Sequence, residues 1–449
     1  MKLKTGIRTA VIIGIALLLI ALPLLGACAK EKVVEVPVEK VVEKEVIKEV
    51  PVEKVVEKEV IKEVPAEERW VKMLDLTDLT GPVGGILTPI SEGLTAYFDH
   101  VNNKGGVEGV KVNWIVVDTQ YKPAVAQSAY ERMKEGSILA LTYAFMMDWF
   151  VEVSKRDKKV IFSASPTPRS FFPAQPYIFG VGWMPENSAA GIKWFKENMF
   201  KEARPMRVAM IYTDAPAGMG YLLGVPKWCT EQGIEVVKLQ PVPLGVTDMS
   251  AELMAVERAK PDLIIFSMTI DGAIIGLRNR YDLGIKTPAM TNAPGDLAIG
   301  MKSLGPEPVE GVNWVCFYAV EEMGEKYPWV KKGTEWWYDK HPGIKPVSSS
   351  FYGGMAYAMI IEEALQRTLE KVSYEELTGE ALKTYGFDTF TEPFITEGLH
   401  ADFDIKPGVD HLGLKKAIVV TAHEGKLGFS DYFATPTVRP PDYPLSLEK

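Results

Sequence analysis

The chain of 449 residues carries a formal net charge of −9 and an isoelectric point near 5.4, a balance that argues against a nucleic-acid surface. Its three cysteines are too few for a disulfide framework and lie in no metal-binding pattern. Beyond Leu25 no apolar run is long enough to span a membrane.

In chain order, Lys2, Lys4 and Arg8 make a positive start, and Ala10 to Leu25 contains no charged residue. This is the layout of a signal peptide, expected over residues 1–27; a spanning helix wants about 20 apolar residues. Leu25-Gly26-Ala27-Cys28 resembles the bacterial lipobox. That resemblance implies that Cys28 becomes the lipidated first residue of the mature protein, which would then be extracytoplasmic and lipid-anchored to the cell membrane. The alternative makes Cys28 an ordinary small residue closing a transmembrane anchor, which leaves the remaining chain on the same side. Residues 28–68 read as a stalk: PVEKVVEKEVIKEV at 37–50 returns identically at 51–64. The valines and Ile47 of each block can form a heptad stripe. Pro51, however, would interrupt a continuous helix at roughly 3 kcal/mol, so jointed coils and an extended, charge-solvated spacer are both admissible.

From Trp70 onward remain about 380 residues, more than one hydrophobic core usually serves, so two lobes are expected. Short apolar runs alternate with amphipathic ones. Val71 to Leu76 precedes a helical pattern over Leu87 to Asn103, Val112 to Asp118 precedes Ala124 to Glu135, and Ile138 to Tyr143 precedes Met147 to Arg156, with Lys159 to Ser163 following. The beat restarts at Met206 to Tyr212, with strands at Glu235 to Leu239 and Leu263 to Ser267 and helices around Leu222 to Gln232 and Ala251 to Ala259. This alternation predicts an α/β fold of two doubly wound, parallel-sheet lobes. Ligands of such sheets gather beyond the carboxyl ends of the strands, so two facing lobes would make a cleft. Cys229 and Cys316 read as small buried apolar side chains.

Several motifs then stand in order: Thr80-Gly81-Pro82 after the first strand, Asn102-Asn103-Lys104-Gly105-Gly106-Val107 after the first helix, Asp118 closing the second strand, Asp282-Leu283-Gly284-Ile285-Lys286-Thr287-Pro288, Val309-Glu310-Gly311-Val312, and Tyr352-Gly353-Gly354-Met355 opening a late helix. Their order and spacing, over Trp70 to Phe433, resemble the type I periplasmic binding proteins, the branched-chain amino acid (leucine/isoleucine/valine) binding family of ABC importers. The resemblance implies lobes joined by a three-crossing hinge near Gly180 to Trp183, Asn313 to Cys316 and Glu397 to Asp402. Lobe 1 would comprise 69–181 plus 316–397, and lobe 2 would comprise 182–315 plus 398–449. Gly81 and Pro82 suit a helix start whose free N–H groups face the cleft and favour an anion.

The same resemblance implies a ligand site at Thr80 and Ile86 of the first turn, Tyr143 and Ala144 in the loop after the third strand, Ala164 and Ser165 after the fourth, and Ala217, Thr269, Ile270 and Ala293 from the second lobe. Tyr143 stands where the family usually has a serine, and Phe145, Met146, Met147 and Trp149 follow it, so a bulkier and more apolar site is expected. Ala293 falls where amino acid binders carry the carboxylate that meets the ligand ammonium. A buried ammonium without counter-charge costs several kcal/mol, which disfavours an α-amino acid, with Asp271 or Asp296 as a displaced substitute. The expected ligand is a small organic solute bearing a carboxylate or amide, with aromatic or apolar mass. No zinc spacing, nucleophile elbow or phosphate loop appears, Gly218 to Gly224 having the wrong spacing. No catalysis, cofactor or metal is expected. The expected partners are the small-molecule ligand, an ABC permease and the lipid anchor. A ligand-sensing lipoprotein that signals to a membrane receptor is the alternative, followed by a stalked interaction module if the cleft is filled.

Overall fold

A computed structural model of the chain describes residues 68–440, apart from 166, 183 and 293–295 and the side chains of 216 and 217. The expected signal peptide, Cys28 and the repeats lie outside the described residues.

The first lobe grows strand by strand. Strand β1 (Arg69–Thr77) leads to helix α1 (Gly84–Asn103), β2 (Val110–Asp118) to α2 (Pro123–Met133), and β3 (Ser137–Thr142) to α3 (Ala144–Asp157), before β4 (Val160–Ser163) and β5 (Ile178–Gly180). The strands pair in parallel in the order β2-β1-β3-β4-β5. A parallel sheet is covered on both faces, so its inner strands are apolar without alternation; β3 and β4 are buried at every position. The two-residue period of β1 assigns its side chains to two cores. Leu74 and Leu76 join Tyr130 of α2 and Phe150 of α3, whereas Met73 joins the core containing Leu94 and Phe98 of α1.

After helix α4 (Met184–Asn198) the pattern repeats with β6 (Met206–Thr213), α5 (Val225–Glu231), β7 (Ile234–Val242), α6 (Ser250–Arg258), β8 (Leu263–Ser267), α7 (Ile270–Asp282), β9 (Ala289–Asn292), α8 (Leu297–Leu304) and β10 (Asn313–Cys316). These strands run in parallel in the order β7-β6-β8-β9-β10. The strand and helix alternation foretells only this parallel part. Past β10 the sheet gains an antiparallel edge, β11 (Lys416–His423) and β12 (Lys426–Phe429). The two-residue link Glu424-Gly425, with φ of 50° and 72°, twists as a tight hairpin requires. Cys229 and Cys316 are free and buried.

Between β10 and β11 the chain returns to the first lobe as α9 (Pro328–Lys340) and α10 (Ser349–Leu369). Helices α1 and α10 cross at glycines. A Cβ on Gly93 would lie 2.1 Å from the Phe351 carbonyl oxygen, and one on Gly354 would lie 2.0 Å from that of Ile90. Tyr97 of α1 also donates its hydroxyl to Glu362 of α10 at 2.6 Å.

Three passages join the lobes, after Gly180, after Cys316 and between His400 and Lys416, and backbone hydrogen bonds lace them together. The Gly180 amide donates to His411 O at 3.0 Å and its carbonyl accepts from Gly413 at 2.8 Å; Ala319 donates to Leu399 O at 2.9 Å, and Ala401 to Phe317 O at 3.0 Å.

Candidate functional site

In each lobe the strand order reverses beside a central strand, between β1 and β3 in the first and between β6 and β8 in the second. Loops leaving such neighbours diverge and open a crevice beyond the strand ends. The two crevices merge into one cavity that is partly open to solvent.

Each stretch of its wall follows a strand. After β1 come Val83 and, from the first turns of α1, Ile86, Leu87 and Ile90; after β2 comes Tyr121; after β3, Tyr143 and Ala144; after β4, Ala164 and Ser165; after β5, Val181 and Gly182. The second lobe supplies Met184, Tyr221, Met268 and Thr269, and the passage after β10 supplies Phe317 and Tyr318. Of the residues expected from sequence, Ile86, Tyr143, Ala144, Ala164, Ser165 and Thr269 therefore meet at one cavity. Ile270 lines a neighbouring groove. Ala293 and the side chain of Ala217 lie outside the described residues.

Thr80 stands apart from this wall. It is exposed, and its hydroxyl donates to Asp118 Oδ2 at 2.6 Å, while the Leu79 amide donates to Asp118 Oδ1 at 3.0 Å. The amide of Val83 donates to Asp78 Oδ2 at 3.0 Å and that of Gly81 to Asp78 Oδ1 at 2.5 Å. The expectation of free N–H groups facing the cleft is thus corrected. Asp78 and Asp118 occupy the amides of the turn, and the helix dipole of α1 already faces a carboxylate of its own chain.

The aromatic run after β3 divides. Tyr143 lines the cavity, and Phe145 packs tilted against cavity-lining Tyr121 with centroids 4.5 Å apart. Met146 and Met147 are buried in the core behind the sheet, where Trp149 packs edge-on to Tyr130 and Phe150.

No charged side chain appears among the described residues of the cavity wall. Asp296 is buried and fully engaged, Oδ1 accepting from the Ala298 and Ile299 amides and Oδ2 from the amide and hydroxyl of Ser349 at 3.0 and 2.7 Å. Asp271 lines the neighbouring groove. Neither wall nor substitute thus presents a carboxylate to the cavity. Behind Tyr143, burial pushes Asp75 up to about 7, opposed by a 2.7 Å hydrogen bond from Ser91. Burial first, and then the proximity of Asp75, raises the Tyr143 hydroxyl well above its ordinary range. The hydroxyls of Tyr318 and Tyr357 share a hydrogen bond of 2.9 Å.

A family model described as periplasmic binding protein matches residues 71–404. The chain belongs to that family. Among curated relatives, this periplasmic binding protein is 20% identical over 320 residues to Leu/Ile/Val-binding protein homolog 7 of Brucella suis, covering 66% of this chain and 77% of that one. Its fold is shared by a branched-chain amino acid ABC transporter from Thermus thermophilus with bound valine, at a TM-score of 0.72 and 20% identity over 82% of this chain and 97% of the other. It is shared also by a fatty acid ABC transporter substrate-binding protein from Thermomonospora curvata, at 0.69 and 21% identity over 82% and 93%. Among the described residues of this periplasmic binding protein, no helix is long and apolar enough to cross a membrane, and no group of three or more His, Cys, Asp or Glu could hold a metal ion.

Sequence reasoning missed Tyr121, Tyr221, Phe317 and Tyr318. Each follows a strand end, which is the signal that could have found them.

Proposed function

We propose that this protein is the substrate-binding component of an ABC importer, closing lobe 1 (69–181 plus 316–397) and lobe 2 (182–315 plus 398–449) over a small organic solute and presenting it to a permease. Cys28 carries the lipid anchor, and residues 28–68 hold the lobes off the membrane. Closure follows from differential affinity, because a solute touches both walls only when they meet.

The observation that carries the ligand reading is the neutral wall. Four tyrosines, two methionines, Phe317 and aliphatic side chains surround the cavity without a carboxylate among the described residues. A ligand ammonium buried there would lose its hydration without a counter-charge, at a cost of several kcal/mol. A solute with apolar or aromatic mass and a carboxylate or amide suits the site better than an α-amino acid. The relatives' names span a fatty acid transporter protein and branched-chain amino acid binders, so membership of the family leaves the ligand open. Ser165 and the start of α3 at Ala144 offer polar contact for an uncharged acceptor group.

Native mass spectrometry of protein purified without denaturation tests the reading: the expected result is a retained apolar or aromatic acid or amide that is returned chemically unchanged. Tight calorimetric binding of leucine would refute the ligand class.

A further inference from the structure

The last described residues of the chain leave the sheet of the second lobe and reach the first. Phe433–Ala434 pairs antiparallel with the start of β11, and the Thr435 amide donates to Lys415 O at 2.9 Å. From there the backbone runs over the start of α4 and the loop before α5. Val438 is 2% exposed, and its amide donates to Glu186 Oε1 at 3.3 Å. The Arg439 carbonyl passes so close to Gly224 that a Cβ there would lie 2.2 Å from its oxygen. These contacts fix the segment to the second lobe. The Arg439 side chain reaches beyond it: Nη1 lies 3.3 Å from Glu186 Oε1, while the guanidinium carbon stands 5.0 Å from the centre of the Phe172 ring. Phe172 belongs to the first lobe, between β4 and β5, and packs against the core of Tyr130 and Phe150. Leu223 of the second lobe packs against that same core. The lobes therefore touch here, next to cavity-lining Tyr221.

Resting on the solute-binding reading above, we infer that residues 435–440 form a clasp for lobe closure, in which Arg439, anchored on Glu186, is the positioning residue that holds Phe172 of the first lobe. A guanidinium suits both halves of that task, since its edge pairs with a carboxylate while its face covers a ring. Opening the lobes lifts Phe172 from the guanidinium, whereas the pair with Glu186, which lies within the second lobe, survives. Glu186 is buried. Burial raises its carboxyl to about 7, opposed by Lys415 and Arg439 and reinforced by Asp410, so the charge that Arg439 meets is largely present at about pH 8. Arg439 itself is half exposed. Its contact is correspondingly modest and biases the opening equilibrium without locking it. The clasp touches no solute, so it sets the affinity for every solute alike through the hinge.

Hydrogen exchange of the solute-free full chain at about pH 8 tests this. The reporter is the buried Ser349 amide, which is bonded across the lobes to Asp296 Oδ2 at 3.0 Å; at the first position of α10 it has no partner within the helix, so its exchange follows opening. Arg439→Ala should speed that exchange about threefold, the scale of a half-exposed ion pair and cation–π contact together. Phe172→Leu, which removes the ring and keeps the apolar packing, should give a comparable acceleration, and Arg439→Lys, which keeps the cation, should retain most of the protection. Amides within β3 should exchange as in wild type in all three variants. Ser349 exchange indifferent to both Arg439→Ala and Phe172→Leu would overturn the inference, as would an acceleration shared equally by β3, which would make Arg439 a support of the fold. A small molecule retained in native mass spectra would in either case leave the solute-binding reading standing, and its absence would remove that reading as well.

Discussion

At Asp75 burial and ionisation are in conflict. Its strand position is fixed by β1, which directs odd-numbered side chains toward α1, so a carboxyl group enters a core of apolar neighbours with no exposed surface. Ser91 satisfies Oδ2, whereas Oδ1 has no hydrogen-bond partner. Burial accordingly raises its pKa to about 7 from an ordinary value of 3.8. The sign of the pH dependence follows. Between those two values the native chain holds a proton that the unfolded chain has released, so this group's contribution is full below about pH 4 and is lost as pH rises toward 7. Asp75→Asn removes the conflict while keeping the shape. Relative to wild type it should be unchanged near pH 4 and more stable above pH 7, by up to something on the order of 4 kcal/mol. Urea midpoints measured for both proteins at about pH 4.5 and pH 8 check this by difference, which cancels Glu186, also raised to about 7 by burial. A stability gap that does not grow with pH would show that the carboxylate is compensated in the folded chain.

At the scale of elements, the α1–α10 contact decides whether the cavity wall stands in place. Gly93 and Gly354 face the opposing backbone at distances no Cβ tolerates, and Ile90, whose carbonyl meets Gly354, also lines the cavity. Gly354→Ala must push the helices apart or strain them, at a cost of about 1–3 kcal/mol typical of overpacking. The expected outcome is a lower melting temperature together with weaker solute binding. Gly85→Ala, in the same helix with nothing within 4 Å of its Cβ, should leave the packing undisturbed. The glycine pair was visible in the sequence only as a helix start at Gly353-Gly354, because the approach of two helices 250 residues apart is a tertiary fact. The parallel strands were legible for the opposite reason: their alternation with helices is local. The antiparallel β11–β12 edge was not, since Lys416–His423 finds its partner β10 about a hundred residues earlier. The candidate site divides in the same way. Tyr143, Ala144, Ala164 and Ser165 could be placed because strand ends locate loops. Thr80 could not, because the sequence does not reveal that Asp78 and Asp118 claim its turn. Tyr318 escaped because it follows a stretch that reads as a hinge.

For the whole molecule the governing question is what holds the lobes together before a solute arrives. The laced passages beside Gly180 and Phe317 permit bending without setting the closed position. Between the lobes, however, Asp296 of the second lobe accepts the amide and hydroxyl of Ser349, the first residue of α10 in the first lobe. Both residues are buried, and the same carboxylate caps α8 through Ala298 and Ile299. Opening the cleft must therefore strip two donors from a buried carboxylate, while the capping bonds within its own lobe survive. This makes the contact a latch whose strength biases the closed state directly. Ser349→Ala deletes the hydroxyl bond and spares the cap, so the closed form should lose about 1–2 kcal/mol relative to the open one, a value between the usual net worth of a neutral hydrogen bond and that of one to a charged group. That corresponds to roughly a tenfold change in the opening equilibrium. The solute-free variant should then show a larger radius of gyration in small-angle scattering, and its apparent solute affinity should fall by up to the same factor, with the melting temperature of each lobe little changed. A scattering curve and an affinity identical to wild type would mean that the Ser349 hydroxyl contributes nothing to closure. A collapse of thermal stability would instead place Ser349 among the residues that hold α10 in the fold.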